Sequence, residues 1–470
     1  MFRPAIPLDD AAISFRYAER LATGRGFTYN DHERVLGASN PLYVLVLAAP
    51  IRLGLSVDHA AATVGTASYV ACMALVVLLG ARFGGVAGGI AAGAILGLDP
   101  FFRYQALSGM EVGLAAALGL GAIAAAASGR LAMAGVVAGL AVWNKLDGAA
   151  VVAAVGLADA VHRRRVPFRF LAAAGATCLP WLAWASWYFG SPLPQSLTVK
   201  LAGGERLPFD RLWFLRFLFH SSRLSAVLAA PLAFVMPGAS DLAARVALTA
   251  LGGWAALHVL AYSVVDLGAP YPWYLAVPIA PIAALAGIGV GNVVKTLTGS
   301  PRRPPLVAAA IVVAAVAVAL AVPSIPWQRP DVQGWDALES DRRLAGIFLR
   351  RHASPGEVLD SPFGWPAFES RLPTNDTFGL NSVQRREPAA YRIEEHAAVG
   401  DPRSAPVADD MVALATFDLA HGRFPRYVSF RLVGRRDSAI ARSGMRVSEA
   451  DVDELGDARL VAAWRAHLGR

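Results

Sequence analysis

The chain has 470 residues, of which 55% are hydrophobic and only 17% charged, with a mean hydropathy of +0.45. A soluble globule carries an apolar share of roughly 45–50%, so this composition excludes one and points to a polytopic membrane protein. The formal net charge is +8, yet Lys and Arg collect between apolar runs and in the C-terminal third, which speaks for membrane topology and against a nucleic-acid partner.

The first element is an amphipathic helix opened by Asp9-Asp10, in which Ile13, Tyr17 and Leu21 recur at a spacing of four and mark one apolar face. Gly24 and Gly26 end it, and it is expected to lie along a surface. Asp10 suits an N-cap and Asp9 the positive end of a helix, so capping stands beside catalysis as a reading of the pair.

A spanning helix needs about 20 apolar residues. About ten segments approach that length, at 59–81, 84–101, 109–127, 131–144, 147–162, 168–190, 224–237, 244–265, 271–292 and 305–324. Cys72 and Cys178 sit within them as small apolar residues, suggesting neither a disulfide framework nor a metal site. Basic residues are retained on the cytoplasmic side, here His162 to Arg165 with Arg169, Lys295 to Arg303, and Arg82, Arg130 and Arg245. Alternation then puts 1–58, 99–110, 144–147, 191–222, 266–272 and everything after 325 on the outer face of a multi-pass cell-membrane protein.

On that face fall Asp9, Asp10, Asp99, Arg103, Glu111, Lys145, Asp147, Lys200, Asp266 and Tyr271. Ionisable groups at span ends commonly line wet pathways, so these are expected to converge on an outward-facing cavity. For any single one, a plain interfacial position is the alternative. Pro323, Pro326 and Pro330 mark a linker that divides a membrane domain, 1–324, from a small extracytoplasmic α/β domain, 325–470. In the latter, 426–432 alternates as a strand and 340–351 and 457–468 read as helices, with no catalytic constellation evident. The fold class expected is mostly α, a polytopic membrane helix bundle with a small C-terminal α/β domain.

Asp9-Asp10, Arg16-Tyr17-Ala18, Gly24, Gly26-Phe27, Tyr29-Asn30, Glu33, Val35, Gly37 and Asn40-Pro41-Leu42 together resemble the opening loop of the GT-C superfamily of membrane glycosyltransferases. The likeness is greatest to the branch that includes the mycobacterial terminal arabinofuranosyltransferase. It continues through Ser108-Gly109-Met110-Glu111, Asn144-Lys145-Leu146-Asp147-Gly148, Tyr188-Phe189-Gly190, Pro194-Gln195-Ser196, Lys200, Pro272-Trp273-Tyr274 and Phe378-Gly379-Leu380, and is weakest over 205–265. The chain departs from the pattern at Lys145-Leu146, where Arg-Pro is usual, at Asp31-His32 in place of Pro-Gly, and at Asn40 in place of Ser or Thr. These departures bear on the donor sugar more than on the reaction. Members of the family have a membrane helix before the acidic pair, so a first span is expected upstream of Met1.

The resemblance implies an inverting transfer of arabinofuranose, mannose or a similar sugar from a polyprenyl-phosphate carrier to a glycan, lipid or protein acceptor beside the bilayer. A carboxylate must take the acceptor proton, and Asp9 or Asp10 is the candidate, with Asp9 slightly favoured by the resemblance. Two adjacent residues entering a helix point different ways, so one serves as base while the other caps or orients; a close pair also raises its own pKa. Arg16, Arg103, Lys145 and Lys200 are the candidates to balance the departing phosphate. Glu111 and Asp147 suit sugar hydroxyls, and Trp273 and Tyr274 suit a stacking wall, an interfacial aromatic belt being the alternative. No cofactor is required in principle, and no metal ligands are assigned. A transporter or flippase of a lipid-linked or polar substrate is the competing reading; it would want charges near mid-bilayer and broken helices in related halves.

Overall fold

The computed structural model describes residues 7–202, 212–219, 224–235, 241–265, 271–298, 332–362, 364–382, 385–386, 388–397, 407–417 and 428–456, with 458, 461, 464 and 465. Helix α1 (Asp9–Ala22) opens directly on the acidic pair, with Leu8 as N-cap and no side chain closing the cap, so Asp10 does not have the capping role considered for it. Nor is α1 a surface element. Ala11, Phe15, Tyr17 and Ala18 are buried together with Asp9, Arg16 and Arg20, whereas Ile13 and Leu21 are only half-buried. The helix is covered twice, by α2 (Pro41–Arg52) and by a helix of the C-terminal unit, so more than one face had to be packed.

Next comes α3 (Val57–Gly97), which folds back on itself at Gly85, whose φ of 76° lies in the left-handed region open to glycine. Its two arms stand where separate segments 59–81 and 84–101 are expected, the second stopping at Gly97. Asp99 caps α4 (Pro100–Leu107) by accepting from the Phe102 amide at 2.8 Å, and the chain then bends by 106° into α5 (Val112–Ala127). There follow α6 (Leu131–Asn144), a single turn Leu146–Gly148, α7 (Ala149–Arg163) and α8 (Phe168–Phe189). Shorter helices α9 (Gln195–Ala202), α10 (Trp213–Phe219), α11 (Leu224–Ala229) and α12 (Leu232–Val235) lead to α13 (Leu242–Val264), α14 (Pro272–Ala276) and α15 (Ile279–Thr298).

The single segment expected at 224–237 is a correction. It is broken between α11 and α12 at Ala230-Pro231, because proline has no N–H for the helical ladder and its ring crowds the preceding turn. The expected segment 305–324, the linker prolines, Asp266 and most of the expected helix 457–468 lie outside the described residues. Among those described, α3, α13 and the stretch Trp273–Leu297 are long and apolar enough to cross a membrane, and the bent pair α4 and α5 makes a fourth if counted as one span.

The C-terminal unit begins with α16 (Val332–His352), followed by β1 (Leu359–Ser361), α17 (Gly364–Ser370), β2 (Thr374–Asp376), β3 (Tyr391–Ala397), β4 (Met411–Phe417) and β5 (Val428–Arg435). The sheet order is β2-β1-β3-β5-β4, parallel across β1 and antiparallel from β3 to β4. Leu344, Phe348, Leu359, Tyr391 and Leu432 form its own core. It sits on the loop that carries α1. Arg343 Nη2 meets Asp58 at 2.7 Å, Arg386 Nη1 meets Glu33 at 3.2 Å, and Asn30 exchanges hydrogen bonds with the Thr374 backbone at 2.8 and 3.0 Å.

Candidate active site

Asp9 and Asp10 diverge as they enter α1. The Asp9 carboxylate accepts from the backbone amides of Gly364 and Trp365, at 2.9 and 2.8 Å, so it caps α17 and fastens the C-terminal unit to the first loop. Both of its oxygens are thereby committed. Asp10 is half-buried, and among the described residues its carboxylate has no hydrogen-bond donor. Burial lifts its pKa to about 6, Asp9 and Glu111 add to the lift, and Lys200 and Arg342 draw it back. Of the pair, Asp10 is the one whose carboxylate no backbone amide takes up.

The other side of the site is built from the ends of α6, α9, α13 and α14. After α6 the chain straightens at Lys145 (φ −165°, ψ 144°) before the turn Leu146–Gly148, and this break turns Lys145 and Asp147 toward the same space. Lys145 Nζ is paired with Glu111, whose second oxygen accepts from Asn40 Nδ2 at 2.8 Å, while Asn40 accepts from Ser14 Oγ at 2.9 Å. This buried chain ties α1 to α2, α5 and α6, and each charge in it is partnered. Glu111 therefore neutralises and positions Lys145.

Tyr274 stands at the centre. Lys145 Nζ lies 4.6 Å from its ring centroid, Lys200 Nζ donates to its hydroxyl at 3.3 Å, and Tyr262 stacks on it at 4.5 Å. Tyr262 in turn donates to Asp147 Oδ2 at 2.9 Å, and Lys200 Nζ lies 4.2 Å from the Tyr271 ring. A cavity of about 250 Å³ opens here, lined by Ser39, Lys145, Asp147, Lys200, Tyr262 and Tyr274. Through Leu146 and Pro194 it adjoins a narrow apolar pocket at Val142, Cys178 and Trp181, and that pocket adjoins an apolar groove of about 670 Å³ between α7 and α8.

Of the residues singled out from the sequence, Lys145, Lys200, Asp147 and Tyr274 line this cavity, Glu111 reaches it through its pair with Lys145, and Asp10 lies within electrostatic reach of Lys200 without lining it. Arg16 does not line it either. It is buried, donates to the carbonyls of Tyr29 at 2.8 Å and Leu372 at 2.9 Å and to that of Ala367, and stacks on Tyr29, so it is a strut between the first loop and the C-terminal unit. Arg103 on α4 lies beside Tyr69 and does not line the cavity, and Trp273 stacks on Tyr271 at 5.0 Å outside it. Sequence reasoning missed Tyr262 and His258, whose Nε2 lies 2.9 Å from the Tyr274 carbonyl. Their spacing of four within an otherwise apolar helix was the available signal. No group of three or more His, Cys, Asp or Glu arranged to hold a metal ion occurs among the described residues.

No protein-family model matches the sequence, and a search of characterised proteins finds no match. Solved structures do match in fold. ArnT from Cupriavidus metallidurans in the apo state aligns with a TM-score of 0.61 at 15% identity, over 93% of this chain and 95% of that one. The same protein bound to undecaprenyl phosphate gives 0.59 at 14% identity, over 91% and 94%. The archaeal oligosaccharyltransferase AglB from Archaeoglobus fulgidus, in complex with an inhibitory peptide and a dolichol-phosphate, gives 0.51 at 12% identity, over 83% of this chain and 66% of that one. The chain shares the fold of these solved structures.

Proposed function

We propose that the protein is an inverting glycosyltransferase that moves a sugar, arabinofuranosyl, mannosyl or similar, from a polyprenyl-phosphate carrier to a hydroxyl of a cell-envelope glycan, lipid or protein at the outer face of the cell membrane. The observation that carries the reading is a half-buried carboxylate within electrostatic reach of Lys200, on the wall of a cavity that a narrow apolar pocket connects to an apolar groove. A lipid phosphate has that shape, with a charged head for the cavity and a hydrocarbon tail for the groove. Two solved structures of this fold hold polyprenyl phosphates.

The chemistry follows from the positions. Asp10 removes the acceptor hydroxyl proton as that oxygen bonds to the anomeric carbon, and the bond from that carbon to the phosphate oxygen breaks on the opposite side. Polyprenyl phosphate leaves with the electron pair. Lys200, whose hydrogen bond goes to the Tyr274 hydroxyl, balances the charge gathering on the phosphate, and Lys145 supports it from behind its Glu111 pair. Tyr262 and Asp147 face the cavity where a sugar ring and its hydroxyls would sit.

The test is a panel of polyprenyl-phosphate sugars presented with acceptor glycans or lipids to the protein in lipid, with release of free polyprenyl phosphate as readout. One donor is expected to turn over, with loss of activity in Lys200→Met. Absence of turnover with every donor contradicts the reading.

A further inference from the structure

Lys145 and Lys200 line the same cavity but are held in opposite ways. Lys145 is paired with Glu111, which cancels its charge inside the protein. Among the described residues no carboxylate stands within ion-pair distance of Lys200. It donates to the Tyr274 hydroxyl at 3.3 Å, and its Nζ lies 4.2 Å from the ring centroid of Tyr271 and 5.7 Å from that of Tyr274. The two rings meet edge to face, 5.8 Å apart with their planes at 87°, and form a corner for the ammonium. Trp273 stacks on Tyr271 at 5.0 Å with planes 27° apart, which holds that ring in place. The Tyr271 backbone is extended (φ −71°, ψ 124°), the conformation favoured before a proline, here Pro272 at the start of α14. Tyr271 does not itself line the cavity, so it acts on a ligand through Lys200.

Resting on the transferase reading, we propose that Tyr271 is a positioning residue, which holds Lys200 by its ring face and so keeps one uncancelled positive charge ready for the donor's phosphate. The choice of partner is the physical reason. A carboxylate would cancel the charge, as Glu111 does for Lys145, and water would draw the long, flexible lysine side chain out to the surface. An aromatic face attracts the ammonium without cancelling it, and the N–H groups that Tyr274 does not take remain for a ligand. The donor phosphate is a diester with one negative charge, and polyprenyl phosphate leaves as a monoester that gathers a second. Lys200 therefore counts for more at the departing phosphate than in the bound donor, and the effect of Tyr271 falls mainly on kcat.

The test replaces Tyr271 by phenylalanine and then by phenylalanines carrying one, two and three ring fluorines, which keep the shape and drain negative charge from the ring face. The readout is binding of undecaprenyl phosphate to the full chain in lipid nanodiscs, with the uncharged polyprenol as control. Tyr271→Phe is expected to bind as the wild type does. Along the fluorinated series affinity for the phosphate falls stepwise, ending about 2- to 30-fold lower, the range that loss of a cation–π contact spans, while polyprenol binding holds constant. Tyr271→Leu shows the same loss, and shows none in the Lys200→Met background. With a donor that turns over, the series lowers kcat more than it raises KM. A ring that serves only as packing or as an interfacial anchor gives a flat series, a fall shared by the polyprenol, or losses that add to that of Lys200→Met. Any of these, or an effect on KM alone, overturns the role given to Tyr271 and leaves the transferase reading intact. Wild-type protein that binds the phosphate no better than the alcohol overturns the transferase reading and the role of Tyr271 together.

Discussion

Asp9 and Asp10 are adjacent, yet one holds two backbone amides and the other holds none, and this difference makes opposite predictions for their replacement. Asp9→Ala removes the cap of α17 and is expected to cost about 0.5–2 kcal/mol, read as a lower unfolding temperature. Asp10→Asn removes a carboxylate whose ionised form the fold disfavours, since its pKa is raised. The variant is expected to unfold at the same or a higher temperature at neutral pH while losing turnover. The acidic pair, Lys145, Lys200, Asp147 and Tyr274 were legible because charged and aromatic groups at helix ends are conspicuous against an apolar background. The task of Arg16 was not legible. Its partners, the carbonyls of Ala367 and Leu372, arrive from a part of the chain some 350 positions away, and no local pattern marks a backbone acceptor.

Helices explain how the site is held. Gly364 opens α17 where a Cβ would stand 2.3 Å from the Asp9 carbonyl oxygen, so the helix reaches Asp9 only because the position is bare. Gly364→Ala is expected to push α17 off α1 and to cost about 1–3 kcal/mol, with faster limited proteolysis at the junction as the check. Between α5 and α6, Glu111→Gln strands Lys145 as a buried cation, for which a loss of about 3–5 kcal/mol is expected, measured by thermal unfolding in detergent. Apolar runs revealed most helices, because hydropathy is a property of the segment itself. The reversal at Gly85 was legible only as a gap between two runs, and the break at Pro231 was overridden by the apolar residues around it. Burial of α1 on more than one face was hidden, because its second cover is α17, which is remote in sequence.

At the scale of the molecule, the apolar helices supply the cavity and groove, and the C-terminal unit closes over the loop bearing the acidic pair. Periodicity marked a strand at 426–432 and a helix at 340–351, where β5 and α16 lie. What composition could not show is that α17 reaches the acidic pair, through the Gly364 and Trp365 amides to the Asp9 carboxylate. The claim that unites both parts is that Asp10 is the base in transfer from a lipid phosphate. It is tested most directly by the rate of polyprenyl-phosphate release in wild type and Asp10→Asn at saturating donor, with equal unfolding temperatures verified. A loss of about 10²–10⁴-fold is predicted. A rate within about threefold of wild type, well short of what a general base supplies, would contradict the account.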